Sequence, residues 1–147
     1  MIRARAKRTV RTVYAFRCGY CGVPESQVGS QLTFDHFRPQ SQNGSDDVAN
    51  LVYCCHACNE FKGEYWTEDD DTRLLHPLID DLNQHTAEEA NGQLKPLTTL
   101  GQVYIERLQL NRPPLVVNRL WQRRLARIEG RLDEMTETLE SILAKIQ

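Results

Sequence analysis

Apolar residues in the first 17 positions are few: Val10, Val13, Tyr14 and Phe16 stand among polar neighbours at spacings that suit one face of a short helix better than a strand. From Gln31 to Phe37 the pattern alternates, with Leu32 and Phe34 on one side, which predicts a strand. Asn43-Gly44 is a turn signal that brings the chain back to a second extended run at Leu51 to Cys54. After Cys58 the run Asn59-Glu60-Phe61-Lys62 predicts one or two helical turns stopped by Gly63. Between Glu64 and Asn91 periodicity fades and Pro77 intervenes, so this stretch is expected to be mostly loop laid on the core, ending in a turn at Asn91-Gly92. Thr98 or Thr99 can cap a helix reaching about Leu110, which Pro113-Pro114 breaks. A long final helix is predicted from about Leu115 to Ile146.

Composition narrows the class. The chain has 147 residues, 40% of them apolar, with no run long enough to cross a membrane. Its N-terminus is basic and lacks the apolar stretch of a secretory signal, so a cytoplasmic location is expected. In a reducing compartment the five cysteines are expected as metal ligands or free thiols rather than disulfides. The net charge of −2 conceals a segregation by position. Residues 1–17 hold six basic side chains and no acid, residues 60–90 hold ten acids against Lys62 and Arg73, and a second basic stretch follows at Arg112, Arg119, Arg123, Arg124 and Arg127. Two basic regions around an acidic middle suit a nucleic-acid binder that touches its partner with part of its surface; ordinary solvated helix faces would give the same pattern.

Chemistry concentrates between Arg17 and Gly63. Cys18-Gly-Tyr-Cys21 and Cys55-His-Ala-Cys58 are two CxxC pairs, and this spacing lets both thiolates of one tight turn face the same ion. Two such turns complete the closed tetrahedron of structural zinc, so Cys18, Cys21, Cys55 and Cys58 are the expected zinc ligands. Cys54 is expected as a small apolar strand residue and His56 as a non-ligand inside the second knuckle.

The residues between and after the knuckles carry a more specific signal. Cys18-x2-Cys21, Asp35-His36-x2-Pro39, Asn50-Leu51-x3-Cys55-x2-Cys58-Asn59 and Lys62-Gly63, in that order, resemble the HNH endonucleases, or ββα-metal nucleases, in their zinc-stabilised subgroup. The resemblance covers residues 18–63 and implies a β-hairpin followed by a helix that grips one catalytic Mg2+ (or Mn2+) beside a phosphate of DNA. It implies His36 as general base, Asp35 and Asn59 as ligands of the divalent ion, and Asn50 as the residue that braces the hairpin and holds the base. The residue types suit that work on chemical grounds: a histidine titrates near neutrality and accepts a proton from water, and carboxylate and amide oxygens are hard ligands for an ion that keeps several waters. Many relatives carry paired glycines where this chain has Gln42-Asn43-Gly44-Ser45. Arg38, Gln40 and Lys62 are candidates for phosphate contact or for ordinary solvent exposure, and His76 and His85 are expected as loop residues.

The expected fold class is therefore α+β: a small ββα-metal core with structural zinc, a loop-rich extension and a long C-terminal helix. The divisions are a basic segment at 1–17, the nuclease core at 18–63, an extension packed on it at 64–111 and the helix at 112–147. The competing function is a zinc-stabilised nucleic-acid-binding module without hydrolysis, which would leave Asp35, His36 and Asn59 without a use. In the final helix Trp121, Leu125, Ile128, Leu132, Met135, Leu139, Ile142 and Ile146 recur at alternating intervals of four and three, a coiled-coil seam about 39 Å long. This spacing suggests a homodimer through the C-terminal helix, with Arg119, Arg123 and Arg127 facing a duplex. The alternative is a helix folded along its own domain, because periods of 3.5 and 3.6 drift apart by only ~20° per heptad.

Overall fold

A computed structural model describes residues 1–146. The first helix, α1 (Ala4–Val13), turns Val10 into the core and rests on the later strand β2 (Leu51–Cys54). After the first knuckle a short helix, α2 (Glu25–Val28), leads to β1 (Thr33–His36), which pairs antiparallel with β2 in the register Thr33 with Cys54 through His36 with Leu51. The long connection between them includes two 3-10 turns, at Gln40–Gln42 and Val48–Asn50. All four residues of β2 are buried, so the strand lies in the interior with both faces covered. Its Tyr53 hydroxyl accepts from the Leu32 amide at 2.8 Å and donates to Glu25, which in turn binds Arg11, so α1, α2 and the hairpin are tied at one point.

The helix after the hairpin, α3 (His56–Lys62), begins inside the second knuckle rather than after Cys58. Cys55 is its N-cap and Cys58 lies in its first turn, so the CxxC spacing is here the opening turn of a helix. Gly63 ends it with φ at +53°, a conformation that suits glycine. The acidic stretch is more ordered than its composition suggests: α4 (Leu82–His85) runs into β3 (Thr86–Glu88), which pairs with β4 (Leu94–Pro96) across the Asn91-Gly92 turn. Thr98 caps α5 (Thr99–Arg107), its hydroxyl accepting from the Gly101 amide. Pro113 and Pro114 then open the last helix, α6 (Pro113–Ile146), where a first-turn proline costs no hydrogen bond.

The core joins both halves of the chain: Val10, Leu51, Val52 and Tyr53 meet Leu74, Leu75, Tyr104, Ile105, Leu108 and Leu110 in one cluster. Tyr104 of α5 donates to the carbonyl of Tyr20 at 3.2 Å, fastening the extension to the first knuckle. Only the start of α6 joins this core, through Leu115, and the seam from Trp121 to Ile146 is exposed along its whole length. Arg119 donates to the carbonyls of Gly92 and Leu110, and Arg123 to those of Ala90 and Glu89 while also pairing with Glu88. These two arginines turn back onto the β3–β4 hairpin, which corrects the expectation of a basic stripe offered to a duplex. Among the described residues no helix is long and apolar enough to cross a membrane.

Because Leu108 is fully buried where the extension meets the hairpin, Leu108→Ala is expected to lower stability by about 2–5 kcal/mol. Urea unfolding checks this, and a loss below ~1 kcal/mol would show that the extension adds little to the core.

Candidate active site and metal centre

The four knuckle sulfurs converge. The Sγ atoms of Cys18, Cys21, Cys55 and Cys58 all lie within 4.8 Å of one another, and Cys21 and Cys55 are 3.9 Å apart. A tetrahedral zinc with sulfur at about 2.3 Å requires separations of about 3.8 Å, so the donor set and its geometry fit one structural ion. Packed together, the four sulfurs shift one another's ionisation, holding Cys18 and Cys55 below the usual thiol range and Cys21 and Cys58 above it. Cys54 is fully buried at the end of β2 and points to no such cluster; burial pushes its thiol up. His56 is exposed. Sequence reasoning missed Arg112, whose guanidinium donates to Cys58 at 3.4 Å and approaches Cys55 at 3.9 Å. Four thiolates around a divalent ion would leave a net negative charge, and the half-buried Arg112 guanidinium would offset it.

Beside this cluster Asp35, His36 and Asn59 line one cavity of about 270 Å³, together with Phe34, Pro39, Gln40, Ser41, Gly63 and Glu64. The register explains the convergence: β1 delivers Asp35 and His36 at its end, and α3 delivers Asn59 one residue after Cys58 of the sulfur cluster. Asp35 is buried. Its Oδ2 accepts from the Tyr20 hydroxyl at 2.6 Å and from the Lys62 ammonium at 3.1 Å. Burial raises its pKa, while Lys62 and Tyr20 oppose the rise by stabilising the carboxylate. A larger hollow of about 460 Å³ at the base of α6, lined by Leu120 and Trp121 among others, holds no comparable set of groups.

Lys62 departs from its expected place at a phosphate. It is fully buried, donating to Asp35, to the His36 carbonyl at 3.0 Å and to the Gly63 carbonyl. An ammonium with no exposed surface works inside the site, not on a duplex. Arg38 keeps partial exposure, stacks over Trp66 and donates to the Gln42 carbonyl. Asn50 braces the hairpin loop: its side chain accepts from the Arg38 amide and donates to the carbonyls of Arg38 and Ser45. It does not reach the His36 ring, which pairs instead with Asp46, Nε2 to Oδ1 at 2.7 Å. His76 is buried against Phe37 and burial lowers its pKa, whereas His85 bonds Thr98. Neither lines the cavity. Tyr20, Asp46 and Arg112 carry no periodicity or spacing signal, since each reaches its partner only through the tertiary fold.

A hairpin and the helix after it bring Asp35, His36 and Asn59 beside four converging cysteines, the arrangement that the resemblance to the HNH endonucleases implies. In agreement, residues 18–64 match the family model for HNH endonuclease, so this segment, about a third of the chain, is an HNH domain. The CRISPR-associated endonuclease Cas9 of Corynebacterium diphtheriae is 42% identical over 48 residues, which are 32% of this chain and 4% of that protein. The chain thus matches only a small part of that much longer relative, and no solved structure matches it.

With zinc in the cysteine cluster, protein purified without added metal is expected to hold about one zinc per chain, and Cys58→Ser to lose the ion and melt at lower temperature. Elemental analysis finding no zinc in the wild-type chain would remove the assignment.

Proposed function

We propose that the chain is a divalent-metal-dependent endonuclease that hydrolyses phosphodiester bonds of DNA. The observation that supports this reading is the convergence of Asp35, His36 and Asn59 on one cavity inside the HNH domain. Asp35 and Asn59 would hold a Mg2+ or Mn2+ ion, two hard oxygen donors for a cation that keeps waters and takes phosphate oxygens as well. Bound there, the cation supplies charge neutralisation at the scissile phosphate. His36 accepts a proton from water as the water oxygen bonds to phosphorus, the bond to the 3′ oxygen breaks, and solvent protonates the leaving oxygen. Lys62 and Tyr20 hydrogen-bond the Asp35 carboxylate and fix it in the interior. On the outer surface the exposed Arg127, and Arg38 where it stays half-exposed between Trp66 and Glu68, would meet backbone phosphates.

Cleavage of plasmid and linear duplex is expected with magnesium or manganese and absent with chelator. His36→Ala is expected to slow cleavage by on the order of a hundredfold with zinc content and fold unchanged. Asn59→Ala should weaken use of the cation, with partial rescue at high metal. Asp35→Ala strands the Lys62 charge in the interior, at a cost of about 3–5 kcal/mol, whereas Asp35→Asn removes the counter-charge but keeps an acceptor oxygen for Lys62 and Tyr20 and is the milder variant. Wild-type rates in His36→Ala would remove the proposed base.

The same reading includes self-association. Eight exposed seam residues at heptad spacing on α6 have no cover within the chain, and a helix with the same stripe is the natural complement. Light scattering at micromolar concentration is expected to give more than one chain per particle, and Leu132→Glu to return it to one. A wild-type monomer would leave the seam unpaired.

A further inference from the structure

We infer that Asp46 is a positioning residue for His36: its carboxylate holds the ring with the proton on Nε2, leaving Nδ1 as the nitrogen that takes the proton from water. The inference rests on the nuclease reading of the cavity. It begins from the 2.7 Å contact between His36 Nε2 and Asp46 Oδ1. An ionised carboxylate only accepts hydrogen bonds, so the ring nitrogen facing it carries the hydrogen, and in a neutral imidazole the lone pair then sits on the other nitrogen. The His36 hydrogen bond holds the Asp46 carboxyl below its ordinary range, consistent with an ionised partner.

An aspartate in an exposed loop beside a histidine is often a weak surface pair. Three features set this one apart. The His36 side chain is only 18% exposed and lines the cavity, with Asp46 on its Nε2 side. The same Oδ1 also accepts from Gln40 Nε2 at 2.9 Å, so a second side chain orients the carboxylate. The loop that carries it is itself fixed. Asn50 Nδ2 donates to the carbonyl of Ser45, the residue before Asp46, at 2.8 Å. A Cβ at Gly44 would lie 1.7 Å from the Arg38 carbonyl oxygen, so the loop passes the end of β1 where no side chain fits. Asn50 thus acts on His36 at two removes, through Ser45 and then Asp46.

The experiment uses the full chain with its zinc content measured, in magnesium, on a duplex substrate. Asp46→Ala is expected to lower kcat by on the order of tenfold to a hundredfold, the range for removing a group that orients a working histidine, with KM changed by less than about threefold. Asp46→Glu should recover part of the loss. Nitrogen-15 spectra of the His36 ring are expected to report the Nε2-H tautomer in the wild type and a mixture in Asp46→Asn, a change that general loosening of the loop would not produce. A wild type that cuts no DNA overturns the nuclease reading itself. A wild type that cuts, with Asp46→Ala at the same kcat or with His36 protonated on Nδ1, overturns the role of Asp46 alone.

Discussion

The convergence of four sulfur atoms on one point is the constraint from which the nuclease core follows. A two-stranded hairpin is marginally stable alone, and this one is closed by knuckles at its two ends: Cys18 and Cys21 before β1, Cys55 and Cys58 after β2. Because Cys58 belongs to α3, fixing the sulfurs also fixes the bearing of that helix. Asn59 follows at once and Lys62 one turn later, so the residues of the cavity inherit their positions from the thiolate cluster. Arg112 extends the dependence to the junction of α5 and α6, whose guanidinium is aimed at the same sulfurs.

A second constraint is electrostatic. Asp35 and Lys62 are both buried, and each would be costly there without the other. Their pairing, with the Tyr20 hydroxyl as a further donor, lets an ionised carboxylate stand at the wall of the cavity. The arrangement links the first knuckle, which supplies Tyr20, to the far end of α3, which supplies Lys62. Side chains that line the cavity are in this way held by side chains that serve the fold.

The local elements and the cysteine cluster were legible because they depend on short-range rules. The alternation around Phe34, the Asn43-Gly44 turn, the CxxC spacing and the helix stop at Gly63 each speak for themselves within a few residues. What escaped depends on contacts across the fold. Lys62 looks like a surface lysine in a polar helical run, and only the packing of α3 on β1 reveals it as the interior counter-charge of Asp35. Arg119 and Arg123 look like a basic stripe until the β3–β4 hairpin supplies carbonyls for them to bind. That hairpin was itself hidden, since strands of three residues in an acidic stretch leave too little alternation to read.

The anchoring of α6 has a mechanical consequence. Arg112, just before the helix, holds the sulfur cluster while Arg119 and Arg123 hold the hairpin, so its base is clamped and the rest projects as a stiff rod. Such an outrigger converts sequence length into geometry: each residue inserted into it would carry whatever its tip grips about 1.5 Å farther from the cavity and swing it by about 100° around the axis. Length and phase of this one helix therefore form a gauge, setting the distance and angle between its exposed seam and the cavity.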